Sequence, residues 1–146
     1  MSLLANVSCV AKDGRAVLIE GPPGSGKSSL ALQLIDRGAM LVGDDGVELA
    51  CRGERFHASP PPRIAGLIEV RNVGLVSLPT VQEVPVALVL RLDEQAPRFI
   101  DAAEVHEIDG IALPLVRLWP GGDALVLRAE LALARWGLSF PPAPAP

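Results

Sequence analysis

An α/β fold built around a phosphate-binding loop is the class this chain predicts, and three observations predict it. Gly21-Pro22-Pro23-Gly24-Ser25-Gly26-Lys27-Ser28 has the spacing of a P-loop. It follows the apolar run Ala16-Val17-Leu18-Ile19 and precedes Ser29-Leu30-Ala31-Leu32-Gln33-Leu34-Ile35, the strand and helix that such a loop joins. A second apolar run, Ala39-Met40-Leu41-Val42-Gly43, then ends in Asp44-Asp45, so that strand, helix and strand form a βαβ-like unit with two carboxylates beside the loop.

The remaining elements follow in order. Residues 6–12 and 15–20 read as strands around Asp13-Gly14, a favoured two-residue hairpin turn, so the sheet is expected to be mixed. The helix after the loop stops at Gly38. Val47 to Cys51 is a further strand, while Gly53 and Pro60-Pro61-Pro62 mark irregular connections. Short segments between Gly66 and Leu78 carry Glu69 and Arg71. Val84 to Leu92 is nearly all apolar, as in a strand buried on both faces. The charged stretch from Asp93 to Asp109 reads as a loop with one short helix, and Ile111 to Trp119 as a strand. After the Pro120-Gly121-Gly122 turn, Asp123 is placed to N-cap a helix through Trp136 that Gly137 ends. Residues 1–138 then form one domain, and the Pro/Ala-rich residues 139–146 a solvated tail.

Composition narrows the function classes. A formal net charge of -4 argues against nucleic acid or an anionic membrane as the main partner. No apolar run approaches the roughly 18–20 residues that span a bilayer, and the start lacks the basic and apolar regions of a secretory signal, so a cytoplasmic location is expected. Cys9 and Cys51 have no metal-ligand spacing and read as small buried hydrophobes. His57 and His106 are isolated and read as ordinary residues.

The loop carries the chemistry. Its glycines let the backbone close around a polyphosphate, with the amides from Gly24 through Ser29 and the helix N-terminus facing anionic oxygens. Pro22 and Pro23 remove two donors, but early in the turn. Lys27, one of only two lysines, would reach the β/γ-phosphates of a nucleotide, and the Ser28 hydroxyl would ligate Mg²⁺. Asp44 and Asp45 lie 17 and 18 residues past Lys27; one can accept a hydroxyl proton and the other can bind metal or its water. A solvated Asp-Asp-Gly turn is the other reading of that pair.

Three ordered segments carry a resemblance: Gly24-Ser25-Gly26-Lys27-Ser28; Leu32 through Arg37-Gly38 to Asp44-Asp45-Gly46-Val47-Glu48; and Gly66-Leu67-Ile68-Glu69-Val70-Arg71-Asn72-Val73-Gly74-Leu75. Over about residues 5 to 137 the chain resembles the catalytic domain of HPr kinase/phosphorylase, in a short form lacking the extra N-terminal domain. The resemblance implies a P-loop kinase-like domain of the HPr kinase/phosphoenolpyruvate carboxykinase type: a central mixed sheet, a flanking P-loop helix and a C-terminal helix. It implies an enzyme that uses ATP and Mg²⁺ to phosphorylate a serine of an HPr-like phosphocarrier, with the reverse phosphorolysis giving pyrophosphate, and assembly as a trimer or hexamer. Asp44 would be general base and acid, assisted by Asp45; Lys27 would neutralise phosphate charge; Ser28 and Glu69 would hold Mg²⁺. Arg71 would support the signature loop, and Arg98 lies where the family has a catalytic arginine.

The chain departs from that pattern at several positions. Asn6 stands at the family's histidine, Ser29 at its acidic residue after Lys-Ser, and Asn72 at the glycine of Glu-x-Arg-Gly. Pro120-Gly121-Gly122-Asp123 lacks the family turn's arginine, for which Arg117 is the candidate substitute. Asn6, unable to carry a proton at neutral pH, keeps a weakly catalytic ATP-sensing module open as an alternative, beside a small-molecule kinase or ATPase. The terminal helix, apolar around much of its surface, either packs on the core or meets a partner.

Overall fold

A computed structural model describes residues 2–63 and 65–140; of the tail expected over 139–146, residues 141–146 lie outside the described residues. Strands β1 (Ser2–Ala5), β2 (Ser8–Lys12) and β3 (Arg15–Glu20) precede helix α1 (Lys27–Asp36). β4 (Met40–Gly43), β5 (Gly46–Arg52), β6 (Arg55–Ser59), β7 (Leu67–Val70), β8 (Gly74–Ser77), β9 (Val84–Leu92), β10 (Glu104–Ile108) and β11 (Ile111–Leu118) follow, and α2 (Leu125–Trp136) comes last.

The Asp13-Gly14 turn forms as expected, with φ of 52° and 75°, the double left-handed geometry of a type I′ turn. It folds β2 back on β3, and β2 also pairs antiparallel with β4. The expected βαβ-like unit is therefore modified: β3 and β4 run parallel on either side of α1, but the hairpin strand β2 lies between them. α1 ends where Gly38, at φ 106°, turns the chain and the Ala39 N–H donates to the Leu34 carbonyl at 3.0 Å.

β9 is the centre of the mixed sheet, which runs β1-β5-β6-β9-β3-β2-β4. One edge of β9 pairs parallel with β3. The other is shared, with β6 antiparallel at Val84 and Pro85 and β11 parallel from Val89 to Leu92. Both faces are buried, as the nearly continuous apolar run, interrupted only by Arg91, requires. On one face α1 and α2 contribute Leu30, Leu34, Ala129 and Leu133 to a core with Val17, Ile19, Leu88 and Leu90. On the other, Leu49, Phe56 and Leu115 fill the curl of the sheet around Leu18 and Val89. Cys9 lies in this second core, where burial pushes its thiol pKa up, in line with its reading as a small buried hydrophobe, whereas Cys51, read the same way, is exposed at the end of β5.

Three expectations are corrected, and one strand is new. Residues 2–5, given no element from the sequence, form β1 on the edge of β5, and Arg55–Ser59 forms β6, where only irregular connections around Gly53 and Pro60–Pro62 were expected. The charged stretch before Asp109 contains no helix; Glu104 to Ile108 is β10, joined to β11 by Asp109-Gly110 with φ of 47° and 82°. Alternation of side chains across that hairpin outweighs its high charge. The N-cap of α2 is Ala124, not Asp123, and makes no side-chain cap bond. Instead Arg128 holds the preceding turn by donating to the Trp119 and Gly121 carbonyls at 2.9 and 2.8 Å.

At the end of the described chain, Phe140 packs partly against the core and lies 4.7 Å from the Arg55 guanidinium. Glu130 of α2 accepts from Lys12 at 2.8 Å and from Arg37 at 2.6 Å, tying the β2–β3 hairpin to both helices. Among the described residues no helix is long and apolar enough to cross a membrane.

The turn after β4 has no room for a side chain at its first residue. A Cβ on Gly43 would sit 2.1 Å from the Gly46 carbonyl oxygen. Gly43→Ala is expected to cost about 2–4 kcal/mol through forced backbone displacement; urea unfolding measures it, and an unchanged midpoint would contradict this fit.

Candidate functional site

The loop between β3 and α1 is shaped by its glycines. A Cβ on Gly21 would lie 2.7 Å from Ser25 Oγ and 3.1 Å from Leu92 Cβ, so the loop can leave the sheet this tightly only with glycine there. The Ser25 N–H closes a turn onto the Pro22 carbonyl at 3.1 Å, while Pro22 and Pro23 stand exposed. Gly26, in the left-handed region at φ 100°, is the N-cap of α1 and leaves the helix without a side-chain cap. The first-turn amides are thus free of side-chain competition for an anion. Lys27 Nζ donates to the Gly21 carbonyl at 2.8 Å and the Pro22 carbonyl at 3.3 Å, placing its ammonium inside the loop.

Asp44 is the hub of the site. Only 7% exposed, it accepts from Ser28 Oγ at 2.7 Å and Ser8 Oγ at 2.8 Å on Oδ1, and from the Glu69 N–H at 3.2 Å on Oδ2. The alternative of a solvated Asp-Asp-Gly turn does not fit this half of the pair. Its neighbour Asp45 is exposed, with φ 59°, and its carbonyl accepts from the Asn6 N–H at 3.2 Å. A two-residue turn with Asp45 left-handed sends the paired acids to different environments, one inward and one to solvent.

Lys27, Ser28, Ser29, Asp44, Asp45 and Glu69 line one cavity of about 1020 Å³. Asn6 lines it too, and so do Arg71 and Asn72 at the tip of the β7–β8 hairpin, where Asn72 takes the left-handed geometry of the glycine it replaces, φ 70°. The donor set suits Mg²⁺: a hydroxyl and carboxylates, with no group of three or more His, Cys, Asp or Glu among the described residues that would form an all-protein cage. Magnesium at phosphate sites uses one or two carboxylates plus phosphate oxygens and water, which these residues fit.

The structure does not bring every expected residue here. Arg98 is exposed in the connection between β9 and β10 and lines neither cavity beside the loop, since Ile100 and Ala103 pack that connection against the core. Arg117, the candidate substitute for the missing turn arginine, is engaged elsewhere: Nη1 donates to Asp93 at 2.9 Å and Nε to Glu104 at 2.7 Å. Ser8 is the site residue sequence reasoning passed over. The signal that places it is structural: Ser8 starts the buried strand Ser8–Lys12, and its neighbour Cys9 pairs with Gly43 just before the acids.

Comparison with known proteins identifies the family and the fold. Residues 5–86 match the HPr Serine kinase C-terminal domain. The HPr kinase/phosphorylase of Cupriavidus pinatubonensis is 33% identical over 133 residues, 82% of this chain and 41% of that protein. That of Clostridium novyi is 31% identical over 140 residues, 86% of this chain and 46% of the other. The solved structure of the Hpr(Ser) kinase/phosphatase from Coxiella burnetii superposes with a TM-score of 0.80 at 28% identity, covering 92% of this chain and 90% of that one. The chain spans less than half the length of these curated relatives.

Asp93, at the end of β9, offers a test of how the wall beside the loop is held. The Gln95 N–H, then the Arg117 guanidinium, keep its carboxyl below the ordinary aspartate value of 3.8. A lowered folded-state pKa means that the stabilisation is complete above the unfolded value and is lost as pH falls through the folded one. Asp93→Asn is therefore expected to lower stability at neutral pH, with the gap from wild type closing as urea titrations move below pH 3.8; a gap independent of pH would refute the ion-pair account.

Proposed function

From the premise that this chain belongs to the HPr Serine kinase C-terminal domain family, we propose that it is an ATP- and Mg²⁺-dependent kinase that phosphorylates a seryl hydroxyl of an HPr-like phosphocarrier protein. The observation that carries the reading is the 2.7 Å hydrogen bond from the P-loop Ser28 to buried Asp44, which joins the phosphate cradle to a carboxylate.

The roles follow from chemistry at those positions. Amides from Gly24 to Ser29 and the ammonium of Lys27 hold and neutralise the phosphates. Ser28 and Glu69 would hold Mg²⁺, which when bound would supply positive charge beside the transferring group. Asp44 accepts the proton of the serine hydroxyl as its oxygen bonds to the γ-phosphorus; the bond from that phosphorus to the bridging oxygen breaks and ADP leaves. Asp45, free in the same cavity, assists by orienting the hydroxyl. Run backwards with inorganic phosphate as the attacking group, the same arrangement releases pyrophosphate and returns the proton from Asp44 to serine. Arg71 supports the hairpin wall. Arg98 enters this scheme only if a partner or ligand draws its connection toward the loop. A cytoplasmic setting and a trimeric or hexameric assembly belong to the same proposal, and light scattering of the purified chain tests the latter.

Labelled ATP with Mg²⁺ and an HPr protein separates this reading from its rivals. Label on one HPr serine is the expected result. Free phosphate without labelled HPr would indicate a small-molecule kinase or ATPase, and binding without either product an ATP-sensing module. Asp44→Asn is expected to lower the transfer rate by about 10²–10⁴, the usual contribution of a general base, with nucleotide affinity nearly unchanged. Unaltered transfer would remove Asp44 from the mechanism.

A further inference from the structure

Among the described residues, Ser8 and Asp44 are the two polar side chains that are buried, 1% and 7% exposed, and they are bonded to each other. Packing alone does not ask for a hydroxyl at Ser8. Its chain neighbours Val7, Cys9, Val10 and Ala11 are buried and apolar, and a hydroxyl is costly to bury unless it has a partner.

A shift of register makes the pair. β2 and β4 run antiparallel with Val10 opposite Leu41, a pairing that, continued regularly, would set Ser8 opposite Gly43 and Asp44 opposite Val7. Instead Cys9 lies opposite Gly43, so Val42 is the extra residue of a β-bulge and Asp44 is brought level with Ser8. The bulge exchanges an apolar neighbour for a donor.

The three donors to Asp44 differ in what else they do. Ser28 belongs to the phosphate loop, and the Glu69 donor is a main-chain N–H. Ser8 is covered at the wall of the same cavity and has Asp44 as its one side-chain hydrogen-bond partner. The outer torsion of an aspartate is broad and two-fold, so the plane of its carboxylate is set by its partners rather than by its own rotamer. Hydroxyls at 2.7 and 2.8 Å fix that plane through Oδ1, whereas Oδ2 accepts one longer bond, 3.2 Å from the Glu69 N–H. Oδ2 is therefore the oxygen with capacity left for an incoming hydroxyl.

We propose that Ser8 is a positioning residue for phosphoryl transfer: its hydroxyl, set by the bulge at Val42, holds Asp44 Oδ1 so that Oδ2 receives the proton of the acceptor serine. The inference rests on the reading of Asp44 as general base and adds which of its oxygens acts and what aims it. Ser8 acts through Asp44 and not on the nucleotide, so its loss falls on the transfer step.

Steady-state transfer of label from ATP to an HPr protein in Mg²⁺ buffer, with ATP affinity from calorimetry, tests it on the full chain. Ser8→Ala is expected to lower kcat about 10–100-fold, the scale on which a lost charge-assisted hydrogen bond or a misplacement of about 1 Å acts, with KM for both substrates and the Kd for ATP unchanged. Ser8→Thr, which keeps the hydroxyl, is expected to restore most of the rate. In an Asp44→Asn background Ser8→Ala is expected to cost nothing further, because the two act as a unit. An unchanged kcat in Ser8→Ala, a loss that appears in KM or ATP affinity instead, the same fold-loss with Asn at position 44, or a folded Ser8→Thr as slow as Ser8→Ala would each overturn the positioning role while leaving Asp44 as the base. Where the threonine methyl prevents folding, the double-variant comparison decides alone. Undiminished transfer by Asp44→Asn would overturn the base and the role of Ser8 together, and wild-type protein that labels no HPr serine would overturn the kinase reading itself.

Discussion

One carboxylate holds the site together. Asp44 takes a hydrogen bond from the P-loop helix through Ser28, from the hairpin strand through Ser8, and from the β7–β8 hairpin through the Glu69 amide. Three segments far apart in the chain therefore meet on two oxygen atoms. A buried carboxylate without donors is costly, by several kcal/mol for the charged form, so each segment stabilises the placement of the others. This arrangement makes the geometry between phosphate cradle and acid a property of the fold rather than of one flexible side chain.

The sheet order explains how those donors arrive. With β2 inserted between β3 and β4, Ser8 at its start lies beside the end of β4, where the acids begin. An adjacent β3–β4 pair would leave no hairpin strand to supply that hydroxyl. The register near Cys9 shifts, as strands often do beside active sites.

Much of this was legible in the chain, because it is encoded locally. The P-loop, the Asp-Gly turn, the Gly38 stop and the apolar run of β9 each declare themselves through spacing or backbone demands that few residues satisfy. Asp44 beside Ser28 followed from the strand–loop–helix–strand order alone. What stayed hidden depends on long-range pairing. β1 and β6 gain their strand character from β5, and β10 was masked by its charge although Asp109-Gly110 is as strong a hairpin signal as Asp13-Gly14. Ser8 could not be assigned to the site without the register, and the position of Arg98 away from both cavities could not be read without the packing of Ile100 and Ala103.

The shared edge of β9 has a consequence for synthesis on the ribosome. Its partners come from residues 15–20, 55–59 and 111–118, so the strand emerges with β3 and β6 already made but with the edge from Val89 to Leu92 open until β11 follows. An apolar run with an unfilled hydrogen-bonding edge is the kind of surface that aggregates or recruits chaperones. Vectorial translation thus leaves the nascent chain most vulnerable over the stretch between β9 and β11, and β11 is the segment whose arrival closes that window.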